Sequence, residues 1–261
     1  MQELDLRLPI RLPDNKKIYF ASDFHLGAPD PATSRLREET IVRWLETIRQ
    51  DAHVIFLVGD LFDFWFEYRY VIPKGFLRFQ SKMIQLIEQG IALVIFTGNH
   101  DLWMFDYFEK ELGVPIFRNP ISIQINEQHI HLGHGDGLGP GDKVYKLIKK
   151  VFTSKPCQRF FSLIHPDVGI YLANLWSGKS RQKNEKEDES FRGPEYEWIY
   201  QYCREVEAHH HHDYYIFGHR HLPLDIPVAE NSRYFNLGEW ITQQSYGVFD
   251  GQQFQLQTFR S

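Results

Sequence analysis

Val54-Ile55-Phe56-Leu57-Val58-Gly59-Asp60-Leu61-Phe62-Asp63 runs five apolar residues into a glycine and two carboxylates. A short run of β-branched and large apolar residues, bounded by a turn signal, reads as a buried strand. The pattern recurs on both sides. Ile18 to Ser22 leads into Asp23-Phe24-His25, and Leu93 to Phe96 leads through Thr97 into Gly98-Asn99-His100-Asp101. Ile130 to Leu132 leads into Gly133-His134-Gly135-Asp136, and Tyr214 to Phe217 into Gly218-His219-Arg220-His221. Helical periodicity fills the early gaps. Ile41, Trp44, Leu45 and Ile48 share one face of a helix over 38–49, and Phe76, Phe79, Met83 and Ile87 share one over 75–89. Strands alternating with helices predict an α/β layered fold. The tail predicts strands over 233–237 and 246–259, the latter turning at Asp250-Gly251.

The chain has 261 residues, enough for one α/β domain with an inserted segment. Its longest apolar run, Ile91 to Phe96, has six residues, against about 20 for a membrane span. Glu3, Asp5 and Arg7 break up any signal-peptide core. Two cysteines, Cys157 and Cys203, exclude a disulfide framework and a thiolate metal site, and the expected compartment is the cytoplasm. Net charge is −5, but Asp142 to Lys186 carries ten Lys/Arg against three acids, so this segment is +7 and the rest −12. That balance argues against nucleic-acid binding while leaving the segment able to meet an anionic partner. The strand rhythm also stops there. Val144, Leu147, Ile148, Val151 and Phe152 lie on one helical face, with Lys143, Lys146, Lys149 and Lys150 elsewhere. A second helix is expected from Pro166, with Val168, Tyr171, Leu172 and Leu175, and then a loop over 177–189. Residues 142–189 thus read as a helical insertion in a single domain, 1–261.

Ligands in open α/β folds bind beyond the carboxyl ends of strands. The motif residues converge there, and in an extended D-x-H or H-x-H both outer residues face one way. Asp23, His25, Asp60, Asn99, His134, His219 and His221 form a mixed N/O set without thiolate, which suits Mn²⁺, Fe²⁺ or Zn²⁺. Seven ligands exceed what one open catalytic ion needs; they suit two ions sharing a carboxylate. Asp136 adjoins His134 and is expected to support it, whereas Asp101 and Asp106 read equally as turn residues. The tract His209 to His212 has no spacing that resembles a site.

In this order the five motifs resemble those of the calcineurin-like metallophosphoesterases. The resemblance implies a two-sheet β-sandwich flanked by helices. It assigns Asp23, His25 and His221 to one divalent metal, Asn99, His134 and His219 to a second, and Asp60 to a bridge. His100 paired with Asp63 would stabilise the transition state or protonate the leaving group. Within the family, Asp60 to Trp65, His134-Gly135-Asp136 before a basic helical insertion, and Leu237-Gly238-Glu239-Trp240 are similar to the branch that hydrolyses a lipid-linked nucleotide, UDP-2,3-diacylglucosamine. That branch uses its insertion as a lid over acyl chains. Its best-known members carry Arg at the position of His100 and Glu at that of Asp63. By this resemblance Asn99, Lys146, Ile148 and Lys149 would touch substrate, and Trp65 would line the nucleotide side or fill the core. The insertion's apolar stripe and lysines suit either a peripheral contact with the cytoplasmic face of the inner membrane or packing on the core with a solvated basic face. No obligate protein partner is expected. A phosphoesterase of another substrate keeps every motif; a nuclease fits the charge poorly, and a scaffold would be expected to have lost ligands.

Overall fold

The computed structural model describes residues 5–141, 143–173 and 191–260. In chain order the elements are β1 (Lys17–Ala21), α1 (Pro31–Ile48), β2 (Ala52–Val58), α2 (Leu77–Glu88), β3 (Ala92–Phe96), α3 (Tyr107–Leu112), β4 (Ile116–Phe117), β5 (Ile121–Ile125) and β6 (Gln128–Gly133). Next come α4 (Lys143–Phe152), α5 (Lys155–Phe161), a helical stretch at 166–173, and α6 (Trp198–Glu207). The chain closes with β7 (Tyr214–Phe217), β8 (Pro223–Ala229), β9 (Ser232–Leu237), β10 (Ser245–Phe249) and β11 (Phe254–Thr258).

The strands form two sheets, ordered β11-β10-β1-β2-β3-β4 and β5-β6-β7-β9-β8. Ile18, Phe20, Val54, Phe56 and Val58 of the first face Ile123, Ile130, Leu132, Ile216 and Phe235 of the second in one apolar core. On the outer face of the first sheet, Tyr19, Ile55 and Leu57 pack under Trp44 and Leu45 of α1 and Phe79 and Met83 of α2. On the outer face of the second, Tyr215, Phe217 and Tyr234 pack under Ile199 and Cys203 of α6. Two-sided burial explains why the central strands are apolar without alternation.

Register decides where the motifs meet. β1, β2 and β3 are mutually parallel, with Ala21 opposite Leu57 and Val58 opposite Phe96. β6, β7 and β9 are likewise parallel, with Gly133 opposite Phe217 and Phe217 opposite Asn236. All five motifs therefore leave the sandwich at the same end.

Several elements differ from expectation. α1 starts at Pro31, seven residues before the periodic stretch, because Asp30 caps it: its carboxylate accepts from Ala32 N and Thr33 N at 2.9 and 3.0 Å. The stripe on α4 divides. Val144, Leu147 and Val151 are exposed, whereas Ile148 and Phe152 are half-buried. Phe152 lies 5.6 Å from the Trp103 ring and accepts its indole N–H at the main-chain carbonyl, 2.8 Å. α5 was not expected; Ser154 restarts the helix by capping Cys157 N, and Phe161 packs on Phe66 and Trp103. Asp142, Leu175 and the loop expected at 177–189 lie outside the described residues. At the two ends of the segment, Gly141 lies flat against Trp198: a Cβ there would fall 2.1 Å from the indole ring.

His212, at the end of the polyhistidine tract, is buried. Ser122 Oγ bridges its Nε2 at 2.8 Å to His131 Nδ1 at 2.9 Å; His131 Nε2 meets Tyr202 OH at 3.0 Å. Burial, helped by His212, pushes His131 down to about 4 from 6.5. The unfolded chain takes up a proton that the folded state refuses, so this contribution is full above pH 6.5 and is lost as pH falls toward 4. We expect His131→Gln to flatten the fall of the urea midpoint over that window. Parallel curves for variant and wild type would show that His131 carries none of it.

Candidate metal centre

The motif loops are bonded to one another beyond the sheets. Asp23 N donates to Gly59 O at 3.0 Å, His25 N to Asp60 O at 2.9 Å, and Gly218 N to His134 O at 2.9 Å. Asp23, His25, Asp60, His219 and His221 have φ of 56°, 44°, 51°, 69° and 53°. The D-x-H and H-x-H pairs are therefore not extended, as their spacing suggested. Their outer residues converge because each turns left-handed, at about 1–3 kcal/mol apiece, a strain typical of functional sites. Gly98 makes room for this crowding, since a Cβ there would lie 2.2 Å from Asp60 Oδ1.

Ligand atoms of Asp23, His25, Asp60 and His221 all lie within 4.8 Å of one another, and so do those of Asp60, His134 and His219. Asp60 joins the two groups: its Oδ2 is 3.3 Å from His134 Nε2 and 3.9 Å from His25 Nε2. Asn99 Oδ1 approaches His134 Nε2 at 3.3 Å. His134 Nδ1 donates to Val58 O at 2.9 Å, which fixes the tautomer and leaves Nε2 as the donor atom for a metal.

The arrangement is suited to cations. His25 Nε2 and His221 Nε2 point at each other 3.0 Å apart, beside a buried Asp23 Oδ1 that lies 3.1 Å from His221 Nε2. Burial opposes charge on His25 and His134, yet Asp23, Asp60 and Asp63 hold the first, and Asp60 foremost the second, up at about 10. Asp23 and Asp60 stay below the usual carboxylate range despite burial, held there by the histidines. Burial, reinforced by His134, drives His219 down to about 4. The site thus concentrates negative charge where imidazole nitrogens converge.

Asp63 and His100 also meet. His100 Nδ1 is 3.1 Å from Asp63 O, to which it donates, and 3.6 Å from Asp63 Oδ1; the same carboxylate oxygen is 3.5 Å from His25 Nδ1. Burial outweighs these acids and lowers the His100 pKa. Asp136 accepts Tyr145 OH and pairs with Lys149 at 2.7 Å, which brings α4 to the site's edge. Lys146 Nζ donates to Gly139 O. Trp65 requires a correction: it is wholly buried, stacked on Phe62 and packed on Phe108, and presents no face to a nucleotide.

Three supports were not legible. Asp101 is fully buried and ties two motif loops together, accepting Leu61 N at 2.8 Å and Gly98 N at 2.7 Å; burial and then Asp60 raise it to about 7. Arg37 of α1 donates to Phe24 O and His25 O at 3.1 and 2.7 Å. Glu197 is buried and pairs with Arg220, inside the H-x-H motif, at 3.0 Å.

The calcineurin-like phosphoesterase profile matches residues 16–223, and the chain belongs to that family of metal-dependent hydrolases. A protein of Porphyromonas gingivalis named UDP-2,3-diacylglucosamine hydrolase is 38% identical over 90% of this chain and 94% of its own length. Proteins of that name from Proteus mirabilis and Haemophilus influenzae are 25% and 26% identical, covering 87% and 86% of this chain and 92% and 91% of theirs. The family works through divalent metal ions, and the two groups joined at Asp60 are where this chain could hold them.

Asp101→Asn replaces one acceptor with an amide facing an N–H. We expect a loss of about 1–3 kcal/mol of stability, read from urea unfolding. An unchanged midpoint would mean that the loops do not depend on this clamp.

Proposed function

We propose that the protein is a dinuclear metal hydrolase that cleaves the pyrophosphate of UDP-2,3-diacylglucosamine to UMP and diacylglucosamine 1-phosphate, a step of lipid A synthesis. The observation that carries the chemistry is the sharing of Asp60 by two ligand groups; the substrate follows from the names of relatives that match nearly the whole chain. Asp23, His25 and His221 would hold one ion and Asn99, His134 and His219 the other, with Asp60 available to both. The N/O donor set favours Mn²⁺, with Fe²⁺ or Zn²⁺ as substitutes. Two such ions, when bound, supply positive charge to the phosphoryl oxygens and acidify a water.

The side chains do the rest. Asp60 offsets repulsion between neighbouring cations. Asn99 both contacts metal and approaches the phosphate. Asp63 orients His100 through the Nδ1–H bond, leaving Nε2 toward the substrate; protonated there beside the anionic phosphates, the imidazolium stabilises charge or passes its Nε2 proton to the leaving oxygen. Lys146 and Lys149 face the phosphates. The whole chain, 1–261, works as one domain with 142–189 as a lid, and Ile148 meets acyl chains. The outward Val144, Leu147 and Val151, flanked by Lys143 and Lys150, rest against the cytoplasmic face of the inner membrane. Among the described residues no helix is long and apolar enough to cross a membrane.

UMP release from UDP-2,3-diacylglucosamine with Mn²⁺, against a generic phosphodiester, tests the substrate; preference for the latter would overturn it. His100→Ala should lower kcat about 10²–10⁴-fold with metal content retained. Asp60→Ala should lower metal content more than His25→Ala does, and two full equivalents of metal in Asp60→Ala would remove its bridging role. Charge reversal at Lys150 should weaken binding to anionic liposomes in a salt-dependent way. Binding indifferent to both salt and charge would count against the membrane contact.

A further inference from the structure

A cavity of about 240 Å³ opens beside the metal centre, toward the turn that joins β4 to β5. His134 forms part of its wall, so it is continuous with the phosphate position proposed above. Its chemistry differs from that on the other side of α4. There, the half-buried Phe152 and Phe161 pack on the buried Trp103 ring, so that side is apolar. The cavity gathers Arg118, Asn119, Asp136, Lys146 and Lys149, beside the apolar Phe96, Pro120 and Leu138. Lys146 and Lys149 sit one helical turn apart, on a different stripe of α4 from Ile148 and Phe152. Three cations against one carboxylate leave the lining formally positive. Arg118 is held at the rim by hydrogen bonds to Met104 O and Phe105 O at 3.0 and 2.7 Å. Asn119 offers an amide donor and an amide acceptor side by side, which is what the imide edge of a pyrimidine requires.

The three cations favour an anion, and the apolar residues beside them leave room for a ring rather than for a long chain. The two halves of a lipid-linked nucleotide have these opposed requirements, and the two sides of α4 meet them separately. Resting on the function proposed above, we infer that this cavity holds the nucleoside monophosphate half of the substrate. Lys146, Lys149 and Arg118 take the phosphate charge and Asn119 reads the base. The cleaved bond then lies across the metal centre, with the lipid half toward Trp103. This gives the nucleotide the place that buried Trp65 cannot provide.

The test is calorimetric titration of UMP into the full Mn²⁺-loaded chain. Saturable binding is expected. Arg118→Glu should weaken it at least tenfold, and Asn119→Ala should weaken it severalfold and narrow the preference for UMP over CMP. Metal content and melting temperature are followed in parallel. Asn119→Ala stands as the second variant because Arg118 also holds the 104–105 carbonyls. No UMP binding, or affinity indifferent to both variants, overturns the assignment. If the lipid-linked substrate is not cleaved but UMP binding responds as expected, the function proposed above falls, and the cavity is a nucleotide site that serves a different phosphoester. If cleavage proceeds while UMP binding ignores both variants, only the cavity assignment falls.

Discussion

Asp23, Asp60, Asp63, Asp101 and Asp136 are all buried at one end of the sandwich, and the structure depends on how their charge is balanced. A buried carboxylate without a partner is among the costliest features a fold can hold. The answers differ, and Asp63 has His25 and His100 at 3.5 and 3.6 Å. Asp101 takes two main-chain N–H groups and is held up at about 7 by burial and by Asp60. Asp136 takes a lysine and a tyrosine hydroxyl from α4. Asp23 and Asp60 lean on four histidines, an arrangement in which cations are the natural completion.

This balance explains why the centre is built from loops and not from strand interiors. Parallel register brings the strand ends level, and inter-loop hydrogen bonds carry the alignment past the sheets. Left-handed residues then turn the side chains inward. A helix or strand could not place so many donors within 4.8 Å of one another, because regular side-chain spacing spreads them apart.

The parts legible in the sequence were those with a local signature. Apolar runs ending in Asp, His or Asn mark both the strands and the residues brought together beyond them. The edge strand β8 was hidden by Pro223 and Pro227, which argue against a strand everywhere except at an edge. β5, with Ile121, Ile123 and Ile125, was not read from the sequence, and it ends in no motif residue that would mark the site. Arg37, Asp101 and the Glu197–Arg220 pair act by reaching loops distant in sequence. Residue spacing encodes nothing of such contacts. Left-handed backbone was equally silent, since glycine is its usual signal and here aspartate and histidine adopt it.

Gly141 resting on the face of Trp198 brings together two points of the chain separated by the whole basic segment. Closing a loop at a fixed pair of anchors costs little more when the loop grows, roughly 0.6 kcal/mol per doubling of length. Apart from α4, whose Tyr145 and Lys149 balance Asp136, the segment between those anchors can therefore be lengthened, shortened or exchanged without moving the loops that carry the carboxylates and histidines. In evolutionary terms it is a cassette: the hydrolytic frame can be kept while what it is offered changes, and the size limit at position 141 is the seam along which that exchange is made.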